Sequence, residues 1–220
     1  MEKTLYHGSE RIIERPEFGV GNHKNDYGLG FYCTEHLDLA KEWASSETKD
    51  GFVNQYSIDL DNLKVLNLND KDYSILNWLA ILLENRTFDL KTPVSIQARE
   101  YLLANYLLDY KSYDVIVGYR ADDSYFSFSR AFLENGISLS QLQRAMYLGK
   151  LGEQLVLKSK EAFEQIKFAK YIPTDSEVYY PRKMARDRQA REAYFKMLEE
   201  LAENDAVYMI DLIRQNNASL

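Results

Sequence analysis

A chain of 220 residues with one cysteine, three histidines and four prolines leaves several classes of protein out of reach. The lone thiol, Cys33, excludes an intramolecular disulfide and any Cys-rich zinc site, which suits a reducing compartment. No stretch approaches ~18 consecutive apolar residues, so no membrane-spanning helix is expected. The N-terminal MEKTLYHGSERII has no apolar core of the kind a signal peptide carries. The expected location is therefore the cytoplasm, unless an export machine that needs no cleaved signal acts on the chain. Positive charge is short as well: 27 Lys and Arg against 34 Asp and Glu give a net charge of −7. Such a balance argues against holding nucleic acid by global electrostatics, although the run RKMARDRQAR near the C-terminus can act as a local basic track.

What is present is enough for a sizeable core. Hydrophobic residues are 45% of the chain, which supports one domain, or a domain with an appendage. Tyrosine is frequent, 17 against 10 Phe and 2 Trp, and suits grooves where a ring is half buried and half hydrogen-bonded.

KTLYH at 3–7 reads as a strand, and the following SERIIERPEF as a turn or short helix stopped by Pro16. Residues 19–30 hold four of the ten glycines and read as a loop. FYCT is a short strand, then TEHLDLAKEWASS a helix with Thr34 as N-cap. Residues 52–60 alternate as a strand, with LKVLNLN its neighbour after an Asp61-Asn62 turn. From about 70 to 110 two helices form an insertion, and 113–119 is a buried strand. A helix capped by an Asp or Ser near 122–124 ends at Gly136, and SLSQLQRAMYLGK is the next helix. GEQLVLKS, KEAFEQI and KFAKYI read as strand, helical turn and strand. After Pro173 two tail helices pack back through Met184, Tyr194, Met197, Leu198 and Leu201. The expected fold class is α+β, with a domain at 1–172 and a helical extension at 173–220.

Three stretches carry candidate chemistry: YHGS at 6–9, YGLGFYCT at 27–34, and LGEQLVLKS at 151–159. Singly, they read as a surface histidine in a β-turn, a packing feature, and a strand with a polar start. In this order, they resemble the ADP-ribosyltransferase superfamily, in its His-Tyr-Glu branch with diphtheria toxin and the poly(ADP-ribose) polymerases. YRADDSYFSFSRAF and the YYPRKMARDRQAR tail are similar to a poorly characterised bacterial family grouped with these transferases.

The resemblance implies a split β-sandwich core with a helical insertion and a C-terminal helical tail, NAD as co-substrate, and no metal. On it, His7 contacts the NAD ribose, the Gly8 backbone holds the nicotinamide amide with Ser9 also among the NAD-binding residues, Tyr32 stacks on the nicotinamide ring, and Glu153 is the catalytic glutamate. Gly28 and Gly30 let the backbone approach the dinucleotide. The chemistry suits these residue types, because losing nicotinamide passes through a transition state with oxocarbenium character that a carboxylate stabilises.

Three alternatives are open at the site. If the strand register turns Gln154 inward, Glu153 points away, because neighbouring strand residues face opposite sides. Trp43 either stacks near the nicotinamide or belongs to the core. Arg120, Asp122 and Asp123 either face the groove or cap a helix. His23 and His36 read as solvated, and Cys33 as buried and inert. The implied function is mono-ADP-ribosyl transfer to a macromolecule, a protein rather than a nucleic acid, by a toxin or effector that an antitoxin or regulator restrains. The alternatives are NAD glycohydrolysis, or a catalytically weak NAD-binding module.

Overall fold

The computed structural model describes residues 2–121, 123–148, 152–200 and 206–217. Among these the chain runs β1 (Glu2–Ser9), β2 (Phe31–Cys33), α1 (Leu37–Ala44), β3 (Gly51–Asp59), β4 (Val65–Asn67), α2 (Ile75–Asn85), α3 (Pro93–Asn105) and β5 (Val115–Tyr119). It continues through α4 (Asp123–Leu133), α5 (Leu139–Ala145), β6 (Glu153–Leu157), α6 (Lys160–Gln165), β7 (Lys167–Thr174), α7 (Ser176–Leu198) and α8 (Met209–Asn217). The fold is α+β, with two open sheets ordered β1-β3-β7 and β2-β6-β5-β4.

The two sheets share an apolar layer. Leu5, Tyr56 and Ile58 from the first meet Cys33, Val115, Leu155 and Leu157 from the second. A bridge between Tyr6 and Thr34 joins the sheets at their edges. Because strand residues alternate, Ile116 and Val156 face the other way, into a larger core under the helices. α2 fits that place: from Ile75 to Leu83 all but Asn77 are buried, so it is apolar nearly all round. Ser74, Thr92 and Ser138 start α2, α3 and α5 with reciprocal side-chain and backbone bonds.

α1 lies unusually close to the first sheet. A Cβ at Gly8 would stand 2.0 Å from the Ala40 carbonyl oxygen, and one at Gly51 would stand 2.1 Å from that of Ala44. Only hydrogens fit there, so these two glycines set the seat of the helix that carries Trp43.

Several expectations are revised. Of the two readings of residues 10–18, the structure shows bends and a turn, not the short helix. The N-cap of α1 is His36; Thr34 is drawn into the inter-sheet bridge instead. β4 does not pair with β3 but crosses to the second sheet and runs parallel to β5, where Leu66 reaches the helical core. β7 continues to Thr174, so a boundary at 173 falls inside a strand. α7 includes Pro181. Tyr194 and Met197 are buried as expected, whereas Met184 and Leu198 are exposed, and Leu201 lies outside the described residues. α7 docks on α1 through a two-pronged ion pair from Arg186 to the buried Glu42, at 2.7 and 2.9 Å. Among the described residues no helix is long and apolar enough to cross a membrane.

Candidate functional site

A cleft of about 720 Å³ opens where the end of β1, the loop before β2, the start of β6 and the segment after β5 converge. Residues 11–17, 20 and 21 line one side of it.

His7 stands at the end of β1 with its ring stacked on Phe31 at 4.4 Å between centroids. Its Nδ1 lies 2.7 Å from the Tyr32 carbonyl oxygen. A carbonyl can only accept, so Nδ1 carries the proton and Nε2 is left as an acceptor. Burial holds the imidazole pKa below its usual value, which keeps the ring neutral at neutral pH.

Tyr32 comes from β2 and borders the same cleft. Its hydroxyl donates to the Gly28 carbonyl at 2.6 Å and accepts from the Tyr27 amide at 3.1 Å. The hydroxyl is thus spent on the loop. Burial pushes its ionisation far above the usual tyrosine range, so it stays a phenol. Beneath the loop, Lys158 donates to the carbonyls of Tyr27 and Leu29, each at 2.5 Å. Desolvation, with Lys111 nearby, brings its pKa down to about 8.

The glycines of this loop serve the protein's own packing. A Cβ at Gly30 would stand 2.7 Å from both the Leu157 oxygen and Val156 Cγ1. Gly28 has φ of +73° and abuts Asn85. Gly8 and Gly30 still border the cleft, but what requires their missing side chains is α1 and β6.

Gln154, on β6, is 3% exposed and lines the cleft floor. Glu153 is exposed and outside the cleft. The pairing of Gly118 with Gln154 and of Tyr119 with Glu153 sets this register. The expectation for Glu153 is therefore revised: it opens onto a separate depression with Glu35, His36, Tyr119 and Tyr147. Ser9 is also turned elsewhere; its hydroxyl donates to Arg11 O at 2.5 Å and accepts from Asn54 Nδ2 at 3.1 Å.

Trp43 belongs to the cleft wall. Its indole N–H has no hydrogen-bond partner among the described residues, and the Arg120 guanidinium stands 4.4 Å over its ring. Arg120 thus faces the groove, while Asp122 lies outside the described residues. His23 and His36 are exposed, and Cys33 is fully buried, its thiol pKa raised by desolvation.

A family model described as a protein of unknown function, DUF3990, matches residues 3–168. The chain belongs to this family. No curated protein and no solved structure matches it. The matched span runs from β1 to the first residues of β7, so it contains every cleft residue named above and leaves α7 and α8 beyond it.

Reading the sequence missed two polar anchors. Asp26 is buried and takes bonds from Arg86 (2.9 Å), the Ala121 amide (2.8 Å) and Gln154 (2.9 Å). Asn54 is fully buried on β3 and holds the segment at 10–13, accepting from the Ile13 amide at 2.8 Å and donating to Arg11 O at 3.3 Å. Asp26 gave no signal, since an Asp in a glycine-rich loop normally faces water. Asn54 did give one, because it interrupts an apolar strand between Val53 and Tyr56.

Proposed function

We propose that the cleft binds NAD and that the chain transfers ADP-ribose from it to a macromolecular acceptor, on a core of the ADP-ribosyltransferase type. One observation carries this reading: His7, Gly8, Gly30, Tyr32, Trp43 and Gln154, drawn from separate segments, line one cavity. Its volume, about 720 Å³, lies in the range of small-molecule sites. The two sheets sharing an apolar layer, with a helical insertion between β4 and β5, support the fold assignment.

In this reading His7 Nε2 accepts from a ribose hydroxyl and Tyr32 offers its ring to the nicotinamide. Trp43 is a second wall. The position next to the ribose belongs to Gln154, because Glu153 points away. NAD supplies the reactive bond between nicotinamide and ribose, and no metal takes part. An amide in place of a carboxylate gives up charge stabilisation of the oxocarbenium-like state, and loss of one such electrostatic contact typically costs about 10² to 10³ in rate. Slow transfer is therefore expected.

A protein acceptor fits better than a nucleic acid. The net charge is −7, and the basic run on α7 is partly consumed inside the molecule, Arg186 by Glu42 and Arg191 by Asp187. A toxin or effector role in the cytoplasm, held by an antitoxin or other regulator, accompanies this reading by analogy alone. Gln154 in the cleft favours a second reading, a module that binds NAD without turnover.

Calorimetry with NAD, and incorporation from labelled NAD with nicotinamide release, separate these. Binding that weakens about tenfold or more in His7→Ala and Tyr32→Ala supports the site. Incorporation that survives Glu153→Ala and disappears in Gln154→Ala supports transfer. Binding without nicotinamide release leaves the binding module, free ADP-ribose without a labelled acceptor indicates glycohydrolysis, and no binding at millimolar NAD defeats the proposal.

A further inference from the structure

The Gln154 side chain is held by one end. Its Nε2 donates to Asp26 Oδ2 at 2.9 Å and to the Tyr119 carbonyl at 3.2 Å. Both partners can only accept, since one is a carboxylate and the other a carbonyl, so the amide nitrogen is the atom that points at them. The two bonds are not equal. The Tyr119 oxygen also takes the Tyr27 hydroxyl at 2.9 Å and the Trp78 indole N–H at 3.1 Å, which are shorter and already match its two lone pairs. The bond to Asp26 is thus the one that decides the amide's orientation.

Asp26 is itself fixed. Arg86 holds Oδ1 at 2.9 Å, and the Ala121 amide holds Oδ2 at 2.8 Å. Arg86 is further steadied by the Phe126 ring, 5.1 Å from its guanidinium. Donors therefore meet both oxygens of the carboxylate.

We propose that Asp26 is a positioning residue of the cleft: it locks the Gln154 amide so that Oε1, and not Nε2, faces the ligand. The lock gives the cleft a second obligate acceptor beside His7 Nε2. It selects ligands that present hydrogen-bond donors, such as the hydroxyls of a ribose, and disfavours ligands that present a carboxylate or phosphate at that point. The Asp26 charge also polarises the amide, which strengthens Oε1 as an acceptor. This inference rests on the NAD reading for the identity of the ligand, but not for the lock itself.

The test uses the full chain, NAD and three variants. An asparagine in place of Asp26 can donate as well as accept, so Asp26→Asn frees the Gln154 amide to flip. NAD affinity is expected to fall about tenfold, the effect of exchanging an acceptor for a donor against a ligand hydroxyl. Gln154→Met keeps the length of the side chain but has neither the oxygen nor the nitrogen whose order Asp26 sets. In the double variant, Asp26→Asn with Gln154→Met, the ligand no longer reads that order, and NAD affinity should lie within about threefold of Gln154→Met alone. If the two losses simply multiply, Asp26 acts on binding by a route other than the amide. That result overturns the proposal.

A second readout needs no ligand and no fully stable variant. In the wild type the Gln154 side-chain amide protons, followed by NMR, should exchange with solvent much more slowly than those of an exposed glutamine. Exchange as fast as in an exposed glutamine removes the lock. If NAD does not bind the wild type while this protection is present, the NAD reading falls and the lock stands.

Discussion

The loop at 25–32 and the segment at 10–21 border the same cleft but are held in different ways. Three backbone carbonyls of the loop are taken by side chains, two by Lys158 and a third by the loop's own Tyr32 hydroxyl, and Asp26 is tied to Arg86 and Gln154. The segment at 10–21 is largely exposed, including Ile12, Phe18 and Val20, and Asn54 and Tyr56 fasten it near Ile13. One wall is preorganised and the other is tethered. Preorganised groups are what a site needs where charge or orientation matters, while a tethered segment can admit a ligand by opening locally.

The sharpest way to break the rigid side is at the seat of α1. Gly8→Ala places a methyl group against the Ala40 carbonyl, and backbone on both sides cannot yield cheaply. Thermal or denaturant unfolding should show a loss of about 3 kcal/mol; a loss under about 0.5 kcal/mol would mean that α1 is not seated so closely.

Lys158→Met comes next. It leaves two loop carbonyls without their donor and should cost about 2 kcal/mol, read by urea unfolding at pH 7. The pH dependence has a defined sign. The Lys158 amine has its pKa near 8 in the folded chain and about 10.4 when unfolded. Between those values the unfolded chain binds more protons, so this residue makes stability rise with pH across that window. The methionine variant should lose that rise, and an unchanged pH slope would contradict the desolvated placement of the amine.

The smallest global effect belongs to the tethered side. Asn54→Ala should lower overall stability by only about 1 to 2 kcal/mol, since water can replace its bonds once the segment lifts. Limited proteolysis should then cut within 10–21 much faster than in the wild type. Equal cleavage rates would show that Asn54 is not the tether.

Particular residues show how far the sequence could be read. His7 and Tyr32 could be paired as candidates only through the family resemblance that YHGS and YGLGFYCT carry together, and the structure brings the His7 ring within one hydrogen bond of the Tyr32 backbone. α2 could be read because eleven residues with almost no charge require burial. The partner of β4 could not be read, since a three-residue strand carries too little pattern to say which sheet it joins. Nor could the role of Gly8: a glycine beside a candidate site suggests room for a ligand, and here the room is filled by a helix backbone.

Local chemistry alone settled that the chain is an α+β protein with one unpaired thiol and a histidine, a tyrosine and a Glu-Gln pair at telling points. Periodicity and residue type are local properties, so they survive without a structure. Which member of the Glu-Gln pair enters the cleft was decided only by the pairing of β6 with β5, where a shift of one residue exchanges the two faces. Asp26 likewise acquired its place only when Arg86, Ala121 and Gln154, between 60 and 128 residues away in sequence, closed around it.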